Sequence, residues 1–269
     1  MNDVVDKLEF EMLDTDVDDL DVTDTDEVLR FGEMNRPDII INCSGMTDIS
    51  SCEENPSQAF KVNALGARNL AIVAAKMQAK MVQLSTDDVF DGKSTEPYTE
   101  FDITNPGTVY GKSKLAGENY VKEFTTKHFI VRSTWVYGKG QNFINGFLKK
   151  VDAGEQLSIA SDQFGSPTSA NELARFLLHL VHTSEYGTYH ATNKGVCSRY
   201  VFAQEILKMT GKTASMQPVP TVMSDFSKVR PAYAVLDNFI MSMVPIYDFP
   251  DWQDSLREYL EERGLYHAE

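Results

Sequence analysis

The sequence predicts an α/β fold with a doubly wound parallel sheet and a smaller C-terminal lobe. Three short apolar runs carry this prediction, because continuous apolar strands are typical of parallel sheets that helices cover on both faces. These runs are residues 38–43, 81–84 and 129–134. Helical segments separate them, as the crossover connections between parallel strands require.

The remaining elements follow from local patterns along the chain. Alternating apolar residues at 8–13 predict a strand, and Thr23 is a suitable N-cap for a helix over 24–32. Apolar periodicity or terminating glycines predict further helices and short strands. The helices are 56–76, a segment beginning at Tyr110, 142–151, 171–181, 200–209 and 252–263; the strands are 157–160 and 187–191. We expect residues 1–150 to form the main core, with 170–192 returning to it, and 151–269 to form mainly the smaller lobe.

Composition excludes several classes of function. The 269 residues carry a net charge of −15 and include 42% hydrophobic residues, which suffices for a substantial core. Such an acidic chain is a poor partner for nucleic acid, because the phosphate backbone would repel it. Long apolar runs and signal-peptide features are absent from the sequence, so we expect no membrane partner and a cytoplasmic location. Three cysteines without metal-binding spacing suit a reducing compartment and predict no metal site.

A hydroxyl pair and a Tyr–Lys pair predict the chemistry. Ser85 and Thr86 end the strand at 81–84, and Tyr110 and Lys114 are four residues apart, so on a helix they share one face. A nearby ammonium favours the phenolate and lowers the pKa of a tyrosine, which then exchanges a proton with a substrate oxygen near neutral pH. The hydride that completes a carbonyl reduction must come from a cofactor, because no side chain carries one.

Several motifs resemble those of the extended short-chain dehydrogenase/reductases, most closely the dTDP-4-dehydrorhamnose reductases. The resemblance runs in family order from about residue 14 to the C-terminus. The motifs that carry it are RPDIIINCSGMT, VNALGARNLA, STDDVFDG, TNPGTVYGKSKLAGE, VRSTWVYG, SDQFGSPTSANELA, GTYHATNKGVCSRYVFAQEI and RPAYAVLDN.

The resemblance implies a Rossmann-like dinucleotide-binding core and a substrate-binding lobe. It also implies that NADPH or NADH reduces the C4 ketone of dTDP-4-dehydro-L-rhamnose, a small nucleotide-sugar substrate. Tyr110 would donate the proton, Lys114 would tune Tyr110 and hold the nicotinamide ribose, and Thr86 would orient the ketone. The choice between the two cofactors and the oligomeric state stay open, with a homodimer as the candidate assembly.

The same resemblance assigns binding roles to further residues. The implied cofactor-binding residues, besides Tyr110 and Lys114, are Asp21, Val22, Cys43, Ser44, Gly45, Asn63 and Ser85. The implied substrate-binding residues are Thr86, Asp88, Trp135 and Arg230. Without the resemblance, Trp135 is equally well explained as a core residue, Asn63 as a packing residue and Arg230 as a surface residue.

Three features depart from the family pattern. The first glycine is Gly32, so the expected first strand and glycine-rich turn are not found. Met46 and Asp88 stand where the family has an aromatic or histidine residue and a tyrosine, respectively. Either the sequence begins late, or this relative has lost its dinucleotide site. The alternative function is therefore a non-catalytic, nucleotide-binding or regulatory subunit.

The aspartate-rich segment 14–26 has two interpretations that the sequence leaves open. It is a solvated acidic loop, or a simple calcium-binding stretch, because alternating carboxylates suit calcium. It lacks the glycine and the final glutamate of an EF-hand loop. The predicted site therefore includes no metal ligand.

Overall fold

The structure is a computed structural model that describes residues 10–223 and 232–267. Its helices are α1 (Thr25–Asn35), α2 (Ile49–Glu54), α3 (Pro56–Phe60), α4 (Ala67–Met77), α5 (Val109–Phe124), α6 (Phe143–Asp152), α7 (Ala170–Val181), α8 (Arg199–Thr210), α9 (Phe239–Met243) and α10 (Trp252–Glu262). A π-helical turn (Lys61–Gly66) joins α3 to α4, and 3₁₀ turns cover Asp87–Val89 and Thr221–Met223. The strands are β1 (Ile39–Asn42), β2 (Lys80–Thr86), β3 (His128–Ser133), β4 (Val136–Tyr137), β5 (Leu157–Ala160), β6 (Phe164–Gly165), β7 (Thr168–Ser169), β8 (Gly187–His190), β9 (Cys197–Ser198), β10 (Met216–Val219) and β11 (Tyr233–Ala234).

The central sheet has the strand order β1-β2-β3-β8, and every pairing in it is parallel. One face packs against α1 and α4 through a cluster that includes Val28, Val73 and Met81. The other face packs against α7 through a cluster that includes Val131 and Phe176. Burial on both faces explains why these strands are continuous apolar runs. The predicted doubly wound parallel sheet is confirmed.

A second core lies among α6, α8 and α10. Buried side chains of these helices form one cluster with β5 and with Trp135 and Tyr137. Beside it, β5 pairs with β10, and β6 pairs with β9 and β11. Because α6 and Trp135 precede residue 150 but pack in this second core, the chain passes between the two cores more than once. The division at residue 150 stays a prediction.

Side-chain caps explain where the main helices begin. Asp24, not Thr23, caps α1, because its carboxylate accepts hydrogen bonds from the amides of Asp26 and Glu27. Thr108 caps α5 by accepting a hydrogen bond from the amide of Gly111. This cap fixes where the Tyr–Lys face of α5 starts.

Two predicted elements differ from the structure. The strand predicted at 8–13 is wrong over residues 10–13, which form no strand; residues 8 and 9 lie outside the described part of the chain. Residues 10–13 lack the hydrogen-bonded neighbour that a strand needs. The helix predicted at 56–76 is interrupted by the π-helical turn at Lys61–Gly66. Within the described residues, no helix is long and apolar enough to cross a membrane.

Gly117 brings α5 close to the π-helical turn. A Cβ at Gly117 would lie 2.4 Å from the backbone oxygen of Asn63 and 3.3 Å from Ala67 Cβ. Backbone cannot yield as a flexible side chain can, so any residue larger than glycine would push the two helices apart.

We predict opposite effects for two helical glycine-to-alanine substitutions. Gly117→Ala should lower the free energy of unfolding by about 1–3 kcal/mol, because it overpacks this crossing. Gly146→Ala in α6 is the matched control, because a Cβ there meets nothing within 4 Å. It should raise the free energy of unfolding by about 0.5–1 kcal/mol through helix propensity. Urea denaturation measures both, and a neutral Gly117→Ala would contradict the close contact.

Candidate active site

The carboxyl ends of β1 and β2 lie side by side in the parallel sheet. Asn42 pairs with Gln83, so the loop after β1 lies next to Ser85 and Thr86 at the end of β2. Ligands of open α/β sheets bind at the carboxyl ends of their strands. The candidate site therefore forms where this edge meets the start of α5.

Lys114 reaches the end of β2 from α5. Its ammonium nitrogen donates a hydrogen bond to the Leu84 carbonyl oxygen over 2.6 Å, and the residue is only 5% exposed. Burial lowers the pKa of Lys114 to about 8, while the charge of the Glu118 carboxylate acts to raise it. A Cβ placed on Gly45 would lie 3.8 Å from the Lys114 nitrogen, so the loop after β1 also meets Lys114.

Tyr110 lies one helical turn before Lys114 on the same face of α5. It is 8% exposed and packs in a small cluster with Ile49, Cys52 and Ala59. This packing limits the positions of the ring. The phenol and the ammonium are thus held on one rigid helix beside the end of β2, as the spacing predicts.

Thr86 ends β2 and caps the 3₁₀ turn that follows. Its hydroxyl oxygen accepts a hydrogen bond from the Asp88 amide over 3.2 Å, and the hydroxyl donates to the Asp87 carboxylate over 3.1 Å. To donate to a substrate ketone, the hydroxyl would have to turn away from Asp87. The predicted role of Thr86 therefore requires only that its hydroxyl hydrogen rotate away from Asp87.

Ser85 is turned into the protein. Its hydroxyl donates a hydrogen bond over 2.6 Å to the carboxylate of Glu118, a fully buried residue of α5. Because neighbouring strand residues alternate between the faces of a sheet, Ser85 and Thr86 point to opposite sides. The cofactor contact of Ser85 stays a prediction, and its hydroxyl is occupied within the protein.

Asn63 fixes the loop after β1. Its side-chain oxygen accepts a hydrogen bond from the Met46 amide over 2.8 Å, and its nitrogen donates to the Met46 carbonyl over 2.9 Å. The same nitrogen donates to the Ser113 hydroxyl of α5 over 2.8 Å. These bonds use the side chain within the protein, so it shapes the loop whether or not a cofactor contacts it.

The loop after β1 also contains the predicted cofactor-binding residues Cys43, Ser44 and Gly45. Ser44 bonds through both its amide and its hydroxyl to the side-chain oxygen of Asn42, which holds the loop in a tight turn. Cys43 is exposed. A Cβ on Gly45 would lie 3.1 Å from the Asn63 oxygen, so glycine suits a crowded position.

Asp21 and Val22 lie beside the start of α4. The Asp21 carboxylate accepts a hydrogen bond from the Thr23 amide over 2.9 Å, and this bond lowers the pKa of Asp21. The carbonyl of Val22 accepts a hydrogen bond from Asn69 over 3.0 Å. Sequence reasoning missed Asn69, whose amide holds the segment predicted to contact the adenine.

Asp88 is enclosed by the start of α5. It is 1% exposed, and a Cβ on Gly111 would lie 2.0 Å from the Asp88 carbonyl oxygen. Both carboxylate oxygens are shielded from solvent. A substrate contact by Asp88 stays a prediction, and this placement does not favour it.

Trp135 packs in the second core, in contact with Arg199 and close to Gly165. The Arg199 guanidinium carbon lies 3.4 Å from the centroid of the indole ring, and a Cβ on Gly165 would lie 2.6 Å from a carbon atom of that ring. Trp135 also has a left-handed backbone conformation with φ of 47°. Trp135 is only 9% exposed and Arg199 covers the ring, so this placement does not favour the predicted sugar contact. Arg230, the other predicted substrate contact, lies outside the described residues.

A buried ion pair behind the site was not predicted. Arg132 of β3 donates two hydrogen bonds to Glu118, from Nε over 2.9 Å and from Nη2 over 2.7 Å. The sequence held the signal that places Glu118 on this face, because Tyr110, Lys114 and Glu118 follow one another at intervals of four.

The described residues contain no group of three or more His, Cys, Asp or Glu residues that could hold a metal ion, including those of the acidic segment at 14–26.

Residues 1–264 match the family described as the RmlD substrate binding domain. The chain belongs to this family. It is 38% identical over 230 residues to the spore coat polysaccharide biosynthesis protein SpsK of Bacillus subtilis, covering 85% of this chain and 81% of that protein. It is 33% identical over 239 residues to the dTDP-4-dehydrorhamnose reductase of Escherichia coli, covering 84% of this chain and 80% of that enzyme.

Solved structures of RmlD relatives have the same fold. A dTDP-4-dehydrorhamnose reductase from Clostridium acetobutylicum is 42% identical with a TM-score of 0.91, and the match covers 93% of this chain and 89% of that one. The enzyme of that name from Bacillus anthracis, solved in complex with NADP, is 35% identical with a TM-score of 0.94, covering 97% and 93%. The resemblance in the motifs and the Rossmann-like fold are both confirmed.

Proposed function

We propose that this chain reduces the C4 ketone of dTDP-4-dehydro-L-rhamnose to give dTDP-L-rhamnose, with NADPH or NADH as the reductant. The observation that carries the proposal is the position of Lys114, buried at the end of β2 one helical turn from Tyr110. The names of the RmlD relatives and the NADP complex of one of them support the choice of substrate and cofactor.

The residues around Lys114 fit the nicotinamide end of the cofactor. Because Gly45 has no side chain, the backbone of the loop after β1 comes close to Asn63 and Lys114. Lys114 and Tyr110 would hold the ribose next to the nicotinamide, and Asp21 and Val22 would lie near the adenine. When bound, NADPH or NADH supplies a hydride to the carbonyl carbon of the substrate.

The side chains of this protein then carry out the proton transfer. The Tyr110 phenol donates its proton to the ketone oxygen as that oxygen gains negative charge. The Lys114 ammonium stabilises the phenolate that remains, an interaction that burial strengthens by excluding water. The Thr86 hydroxyl donates a hydrogen bond to the same oxygen and fixes the orientation of the carbonyl.

We place this reaction in the cytoplasm. The three cysteines are free thiols, which suits a reducing compartment. The formation of a homodimer stays a prediction.

A non-catalytic, nucleotide-binding role is the second candidate. The observations in its favour are Met46 and Asp88, which depart from the family pattern beside the candidate site. The buried Tyr–Lys pair favours the enzyme, because a binding subunit has no need of a proton donor.

Tyr110→Phe should reduce kcat for ketone reduction by about 10²–10⁴-fold, because it removes the proton donor while keeping the ring. Thermal unfolding should be nearly unchanged. Tyr120→Phe is the matched control on α5 and should retain wild-type activity, because Tyr120 lies on the outer surface of this helix. The rate is measured from NADPH oxidation at saturating cofactor. Retained turnover in Tyr110→Phe would remove Tyr110 from the acid role.

A further inference from the structure

Glu118 extends the Tyr–Lys face of α5 by one turn. Tyr110, Lys114 and Glu118 are spaced by four residues, so all three side chains lie along one side of the helix. Glu118 is 0% exposed, so its carboxylate cannot contact bulk water. The carboxylate instead lies between α5 and the strands behind the site.

Two neighbouring residues of β2 are bound from this one helix face. Lys114 donates to the Leu84 carbonyl over 2.6 Å, and Glu118 accepts from the Ser85 hydroxyl over 2.6 Å. These two bonds hold the strand end just before Thr86. A shift of α5 along β2 would break both bonds, so together they fix the distance between the helix and the strand end.

A buried ion pair holds the Glu118 carboxylate. Arg132, which is 3% exposed, binds both of its oxygens. Buried ion pairs are seldom favourable for stability alone, because removing both charges from water costs as much as their attraction returns. A fixed carboxylate one turn from a catalytic lysine has an evident use in the chemistry.

The charged groups around this pair come from several elements. Lys122 of α5 lies 3.8 Å from Glu118 and is 41% exposed, so water screens its charge. Desolvation raises the pKa of the Cys43 thiol, in the loop after β1, so this thiol is uncharged near pH 8. His190 pairs with Arg132 in the sheet register, and burial lowers the pKa of His190 to about 3, which keeps it neutral. Glu118 is therefore the fixed negative charge that acts on Lys114.

We propose that Glu118 is a positioning residue for the reduction: it holds Lys114 in its charged form and locks the end of β2 at the distance that Tyr110 and Thr86 require. The inference rests on the proposed function. It predicts that the carboxylate acts through Lys114 without touching the substrate.

The test compares Glu118→Gln with the wild type across pH. Burial sets the pKa of Lys114 to about 8, so wild-type kcat should fall as pH rises through about 8 and the ammonium loses its proton. Without the carboxylate, the charged lysine is less favoured, and this fall should move to lower pH by about one unit. KM for the sugar nucleotide should change little.

Three further variants make the outcome specific. Glu123→Gln, the same substitution on the exposed side of α5, should leave the pH profile unchanged. Glu118→Asp keeps the negative charge, so its kcat should fall at the same pH as that of the wild type, even if kcat itself is lower. If Glu118→Gln fails to fold because Arg132 is left without its partner, Glu118→Gln/Arg132→Gln removes both charges. The shift should then keep its direction but be smaller, because the loss of the Arg132 charge acts on Lys114 in the opposite sense.

An NMR titration of the Lys114 side-chain ¹⁵N signal, assigned with Lys114→Met, separates this inference from the proposed function. It needs no turnover, so an inactive wild type would overturn the function while the Lys114 pKa still tests Glu118. The expected result is a lower Lys114 pKa in Glu118→Gln than in the wild type. If Lys114 has the same pKa in the wild type and in Glu118→Gln, or if kcat falls at the same pH in both, the proposed role of Glu118 is wrong.

Discussion

The contact between α5 and the end of β2 is the constraint on which the rest of the site depends. Lys114 donates to the Leu84 carbonyl and Glu118 accepts from the Ser85 hydroxyl, so one helix face binds two consecutive strand residues. Close packing elsewhere on α5 supports this contact, because Gly111 and Gly117 let the helix approach the 3₁₀ turn and the π-helical turn. Tyr110 is carried to the site by the same helix.

The loop after β1 completes the site, and the Asn63 side chain couples it to α5. Asn63 binds both backbone groups of Met46 and the Ser113 hydroxyl of α5, so it couples the loop to the same helix. Its place within a π-helical turn follows a common pattern, since such turns occur often at functional sites. Gly45, at a crowded position, then lets the backbone of this loop come close to Lys114.

The sequence predicted the parts of the structure that local patterns determine. Apolar runs located β1, β2 and β3, and the spacing of Tyr110 and Lys114 predicted that the two side chains share one face of α5. The sequence did not predict that Ser85 turns towards Glu118, or that Arg199 and Gly165 pack closely against Trp135. Those contacts join residues 30 or more positions apart, so tertiary packing sets them, and no local pattern records them. The strand predicted at 8–13 is wrong over residues 10–13 for the same reason, because a strand needs a hydrogen-bonded neighbour.

The most direct test of the central claim is the transfer of deuterium from NADPH labelled at C4 of the nicotinamide. Incubation with dTDP-4-dehydro-L-rhamnose should give dTDP-L-rhamnose that carries deuterium at C4 of the sugar, from only one of the two labelled faces of the cofactor. Mass spectrometry and proton NMR locate the label. No labelled product at saturating cofactor, or a label at another carbon, would contradict a ketone-reducing site at the end of β2.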